Sequence, residues 1–173
     1  MLLLKIVILI ILLLIFAQDI LSRSVYWFLF PLFSISLVVV RTMQHPFSAI
    51  WPPVLINLGF LGLQLLLLSL YFSLKEKKIV NVTSHLLGMG DVLFLCSIAF
   101  YCTVLNYVFF YIASLLMVLS FWQIFQWVCS RKDKHIPLAG LQSLLFALFL
   151  ASGWWMKFFD LTDDAWLLNL INK

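Results

Sequence analysis

Long apolar runs dominate this sequence and leave it little choice of solvent. Residues 2–18 read LLLKIVILIILLLIFAQ, and comparable runs fill 25–41, 51–74, 91–104, 105–128 and 137–156. A helix crossing the hydrocarbon of a bilayer needs about 20 mostly apolar residues, with a working range of about 17–25. The stretch from Asp91 to Val128 is too long for one crossing, so a turn is expected near Cys102 to Asn106. Of the 173 residues, 65% are hydrophobic and only 10% charged, whereas soluble domains carry about 25% charged residues. So few charges cannot cover a water-facing surface. That excludes a soluble domain, a disordered tail and a nucleic-acid module. The expected fold is all-α: a polytopic membrane protein with a six-helix transmembrane core over 1–156 and a short amphipathic, interfacial helix in the tail, 157–173.

The first run begins like a signal peptide, with Lys5 ahead of an apolar core. Its length, and Ile15-Phe16-Ala17 in place of a small-x-small cleavage pattern, favour a retained helix. Orientation follows from the basic residues. Arg23, then Lys75, Lys77 and Lys78, then Arg131, Lys132 and Lys134 fall after the first, third and fifth runs. Lys5, Arg41, Lys157 and Lys173 fall on the other side. Seven against four places the first set in the cytoplasm, with both termini outside. Membrane topology alone accounts for these clusters and for the net charge of +4. Trp51, Trp127, Trp154 and Trp155 stand near helix ends, as interfacial anchors do. In the tail, Thr162 is placed to cap a short helix, with Asp163 and Asp164 at its positive end. Trp166, Leu167, Leu170 and Ile171 would then share its apolar face.

Five of the seven acidic residues sit in loops or in the tail. The other two, Asp19 and Asp91, stand at the ends of apolar helices, where an ionised carboxylate costs at least about 2.5–3.5 kcal/mol. Asp19 ends the first helix and Asp91 opens the fourth. With odd helices running inward and even helices outward, both reach the same depth, just inside the cytoplasmic boundary. Two close carboxyls cannot both ionise comfortably, so one keeps a proton while the other stays charged. That is the equipment of an aspartyl dyad, which activates water with one group and hydrogen-bonds a scissile carbonyl with the other. It needs no metal or cofactor. Gly88-Met89-Gly90-Asp91 sets two residues without Cβ directly before the second acid, where they let backbone bend or approach a substrate strand. The structural alternatives are an i, i+4 ion pair between Asp19 and Arg23 and a plain helix N-terminal role for Asp91.

At these residues the sequence resembles the type IV prepilin peptidases, membrane aspartyl proteases of the GxGD class. Gln18-Asp19-Ile20-Leu21-Ser22-Arg23-Ser24-Val25-Tyr26 is similar to the family's first-aspartate segment, and Gly88-Met89-Gly90-Asp91 to its second-aspartate motif. His135-Ile136-Pro137-Leu138-Ala139-Gly140 is similar to the Ile-Pro start of the family's last helix. The resemblance implies an endopeptidase with Asp19 and Asp91 as catalytic residues, shaped by Gly88, Gly90 and Arg23. It implies as substrate a membrane protein precursor with a basic leader peptide, type IV pilin-like or pseudopilin, cut at the cytoplasmic face of the inner membrane. The chain departs from the pattern at Leu93, where the family commonly has Lys, and at Tyr26, where it has Pro. The four-cysteine cytoplasmic extension of larger members is not in the sequence, and methyltransferase activity is not expected.

Remaining residues take plainer roles. His45, His85 and His135 lack metal-ligand spacing, and Cys96, Cys102 and Cys129 form neither a disulfide framework nor a zinc site. Asn81-Val82-Thr83 matches a glycosylation acceptor on the side assigned to the cytoplasm, where it is chance. No serine stands in a G-x-S-x-G elbow. Gly59 and Gly62 are read as close helix-packing positions, Pro52-Pro53 as the start of the third helix, and Asn57 and Gln64 as interhelical polar contacts. The expected partners are the precursor and the lipid bilayer, without nucleic acid and with homo-oligomerisation left open. The competing function is a non-enzymatic transport or assembly subunit that uses the two acids to handle a proton or an ion.

Overall fold

The computed structural model describes residues 1–76, 88–129, 137–156 and 160–171. All regular structure among them is helical: α1 (Leu2–Ser22), α2 (Leu29–Thr42), α3 (Phe47–Glu76), α4 (Met89–Ala99), α5 (Val104–Cys129), α6 (Leu138–Ala151) and α7 (Ala165–Ile171). A π-helical turn, Ser152–Met156, extends α6. The loop clusters Lys77-Lys78 and Arg131–Lys134, the tail residues Lys157 and Lys173, His85, His135 and the 81–83 sequon lie outside the described residues.

Each of the six expected segments is helical, but four rather than six are long and apolar enough to cross a membrane: α1, α3, α5 and α6 with its π-turn. Helix α2 has 14 residues and α4 has 11, giving lengths of about 21 and 16 Å at 1.5 Å per residue. A bilayer's hydrocarbon is about 30 Å thick. No more than 39% of any crossing window is buried by the rest of the protein. The uncovered surface is largely Leu, Ile, Val and Phe, so the surrounding medium must itself be apolar. The chain is membrane-embedded.

Local chemistry explains the shifted boundaries. Helix α1 continues past Asp19 to Ser22 and ends where Arg23 turns left-handed (φ 53°), its N–H donating to the Asp19 carbonyl at 3.0 Å. The Gln18 side chain then takes the Tyr26 N–H at 3.2 Å, and α2 begins at Leu29 rather than 25. Pro31 falls in its first turn, where a missing N–H costs nothing. Helix α3 starts at Phe47, directly after Pro46, so Pro52 and Pro53 lie inside it instead of at its start. The break before α5 falls at Phe100–Thr103, slightly ahead of its expected place.

That break is held by buried donors. A helix leaves its last carbonyls without intrahelical partners, and at membrane depth water does not supply them. Arg41 from α2 donates to the carbonyls of Phe100 and Cys102 at 3.0 and 3.3 Å. Asn57 from α3 donates to those of Ala99 and Cys102 at 3.2 and 3.0 Å. Both side chains are buried. They fix the end of the short α4 and hence the height of everything on it. Nearer its start, Phe33, Phe94, Phe110 and Phe146 from α2, α4, α5 and α6 form one aromatic cluster, with ring centroids 5.1–6.1 Å apart.

Two expectations about packing are corrected. Gly59 and Gly62 face outward, and a methyl group at either would meet nothing within 4 Å. The packed face of α3 runs through Val54, Asn57 and Leu61, and 59 and 62 fall off that i, i+3, i+7 line. In the tail, Asp160 and Asp163, not Thr162, receive the local turn and cap bonds. The tail also docks on protein: Leu161 joins the core, Asp164 accepts a hydrogen bond from Thr103, and Trp166 packs edge-on against Phe109.

Replacing Asn57 with Leu removes one of the α4 end-group donors and should lower unfolding free energy by about 1 kcal/mol, the scale of interhelical hydrogen bonds in membranes. Gly59→Leu, on the outward face, should change it by less than about 0.5 kcal/mol. Unfolding of the purified protein in mixed micelles titrated with SDS measures both.

Candidate active site

Asp19 lies in the last turn of α1 and Asp91 in the first turn of α4. Both line one open cavity of about 860 Å³. Arg23, Ser24, Gly88 and Gly90 contribute to its rim, and Val25, Trp27, Phe30, Leu93, Leu115 and Leu119 give it apolar walls. All five residues singled out as candidates from the sequence therefore border the same space. Asp91 is buried, Asp19 is half-buried, and each lies within electrostatic reach of the other.

The start of α6 brings the acids together. The Gly140 N–H donates to Asp19 Oδ2 at 2.6 Å, and the adjacent Ala139 N–H lies against the Asp91 carboxyl. These amides belong to the first turn of a helix, where N–H groups lack intrahelical partners and the helix dipole is positive. Pro137 begins that turn with no N–H of its own. Charge-assisted bonds of this kind are about twice as strong as neutral ones, and here they offset the cost of holding two carboxyls at the edge of an apolar bundle.

The glycines divide into different roles. Gly140 is packed so tightly on α1 that a methyl group there would stand 2.9 Å from Asp19 Cβ and 3.0 Å from its Oδ2. Gly88 donates its N–H to Asp91 Oδ2 at 3.1 Å, the reciprocal half of a capping box, and a methyl there would stand 3.2 Å from that oxygen. Gly90 has ordinary room, with its nearest neighbours at 3.7 and 3.9 Å. Asp91 thus caps its own helix while facing the cavity. Leu93 lines the apolar wall.

Ala139 and Gly140 follow Pro137 in sequence, but nothing in that segment alone assigns them to the site. A proline followed by small residues at the start of an apolar run was the available signal. Of the residues given structural roles, Asn57 is an interhelical donor as read, whereas Trp154 is drawn inward, its Nε1 donating to Tyr101 Oη at 3.0 Å. Among the described residues, no group of three or more His, Cys, Asp or Glu side chains is gathered as metal ligands would be.

No family profile, no curated protein and no solved structure matches this chain.

Gly140→Ala forces a methyl group against Asp19 and should destabilise the protein by about 1–3 kcal/mol, despite the higher helix propensity of Ala. Gly90→Ala has room and should be neutral or stabilising by up to about 1 kcal/mol. The same micellar unfolding assay ranks the two variants.

Proposed function

We propose that this chain is a membrane-embedded aspartyl endopeptidase with Asp19 and Asp91 as its catalytic dyad. Its substrates are type IV pilin-like or pseudopilin precursors, from which it removes the basic leader, as the resemblance to prepilin peptidases implies. One observation carries the proposal: two carboxyl groups, 72 positions apart in sequence, meet on the wall of one cavity and are held by consecutive amides of a third helix. An ion pair with Arg23 or a lone helix cap would account for either acid singly. Neither accounts for their convergence.

The chemistry requires only these groups, water and the peptide. The ionised carboxylate takes a proton from a water molecule, whose oxygen adds to the scissile carbonyl carbon. The protonated partner gives its proton to the carbonyl oxygen, forming a neutral gem-diol. A proton then passes to the peptide nitrogen, the C–N bond breaks, and a carboxylic acid and an amine leave. The apolar walls suit the membrane-embedded part of a precursor, and the polar rim suits its leader.

In this reading α2 and α4 complete a six-helix topology despite their shortness, and the rim that carries Arg23 faces the cytoplasm of an inner membrane. The positive-inside distribution of Lys and Arg supports that orientation. The two shorter helices reach the boundaries through their flanking turns, whose polar groups are paired at Arg41 and Asn57.

Asp19→Asn and Asp91→Asn each keep a side-chain oxygen to accept the backbone N–H, so both variants should insert and fold. Each should lose cleavage of precursors by at least about a hundredfold, the lower range for removing a general acid or base. Incubating wild-type and variant protein with a panel of precursors, followed by mass analysis of the products, provides the test. Full processing by either variant would overturn the proposal. Flux that depends on pH, without any peptide product, would favour a transport subunit.

A further inference from the structure

A second cavity, of about 310 Å³, opens at the far end of the bundle. Lys5, one of its lining residues, precedes Asp19 by fourteen residues on α1, which is about 21 Å along the axis. This cavity is therefore separate from the one bordered by the acids. Its lining is mixed in a specific way. Lys5 supplies a cation, Asp160 an anion, Gln44 an amide, and Tyr101 and Trp154 aromatic faces with polar tips.

These groups are held in place. The Lys5 ammonium stands 5.1 Å from the centroid of the Trp154 ring, a contact that positions a cation without neutralising it. Among the described residues Lys5 meets that ring and no carboxylate. Trp154 is fixed in turn by its hydrogen bond to Tyr101, itself buried, and by an edge-on contact between their rings. Trp154 and Gly153 come from the π-helical turn, an irregularity that is frequent at functional sites. Asp160, also in the lining, uses Oδ1 for the turn to Thr162.

The neighbours of these residues in sequence are apolar and outward-facing: Ile6, Leu148 and Trp155 are all exposed on a surface that meets lipid. A charged, head-group-sized hollow thus opens between lipid-facing helix ends. Its volume is at the small end for ligand sites, which run about 300–1,000 Å³, too small for a whole lipid but suited to its polar end.

We infer that this cavity binds the head group of an aminophospholipid, with the phosphate against Lys5 and the primary ammonium against Asp160 and Gln44. The opposite charges in its lining match that zwitterion, and a primary ammonium has the three N–H donors that carboxylate and amide oxygens accept. A choline head group offers no N–H donors, and a glycerol head group offers no cation. The site is independent of peptide cleavage and of the reading given to the acids.

The test uses the full chain, delipidated in detergent, with bound lipid counted by native mass spectrometry. Short-chain phosphatidylethanolamine, phosphatidylcholine and phosphatidylglycerol serve as probes, with chain-free glycerophosphoethanolamine as a fourth. Phosphatidylethanolamine should bind about tenfold more tightly than the other lipids. Lys5→Met should weaken it about tenfold, and Asp160→Asn, which keeps Oδ1 for the Thr162 turn, should abolish the preference over choline. A melting curve for each variant checks that it folds. Equal binding of all three lipids, or binding unchanged by Lys5→Met, would overturn the proposal as mere annular lipid. Equally tight binding of the chain-free head group would overturn the lipid assignment in favour of a soluble phosphodiester.

Discussion

The first turn of α6 is the contact on which the rest of this molecule depends. Two successive N–H groups, at Ala139 and Gly140, face carboxyls delivered by α1 and α4. Neither acid would be comfortable there alone, since an ionised group at membrane depth costs at least about 2.5–3.5 kcal/mol. Equally, the amides at a helix start need acceptors that lipid cannot provide. Each side of the contact resolves the other's difficulty. The result fixes three helices at one height, and the close packing of Gly140 on Asp19 leaves little freedom to slide.

The opposite end of α4 is secured by the same logic with the signs reversed. There the groups in need are carbonyls, and the buried donors are Arg41 and Asn57. Between the two ends lies the aromatic cluster of Phe33, Phe94, Phe110 and Phe146. A helix of 11 residues therefore has polar attachments at both tips and an apolar middle. This arrangement makes Asp91 a rigidly mounted group, as the proposed paired-acid hydrolysis would require.

Much of this was legible from residue order, and the reasons are specific. The apolar runs are so long and so poor in charge that helices in lipid are the only outcome, and Asp19 and Asp91 stand out because they interrupt such runs. Helix counting assigns them a common depth, whereas the cavity they share is seen only in the fold. Less was legible wherever the decisive partner is distant or is backbone. Nothing local to Asn57 or Arg41 says that each will close the end of α4. Amides carry no residue label, so the part played by Ala139 and Gly140 had only a proline and small side chains to announce it. Gly59 and Gly62 misled because spacing alone does not say which face of a helix is covered. The boundaries of α2 and α4 were overextended because apolar residues continue into the turns that flank them.

The brevity of α2 also reaches beyond the protein. Its rod of about 21 Å falls short of a hydrocarbon slab of about 30 Å, its outer face carries the exposed side chains of Leu32, Ile35 and Val39, and neighbouring acyl chains respond to such mismatch by tilting or shortening toward it. How closely that face of α2 fits its surroundings is thus a property of membrane thickness as well as of the polypeptide.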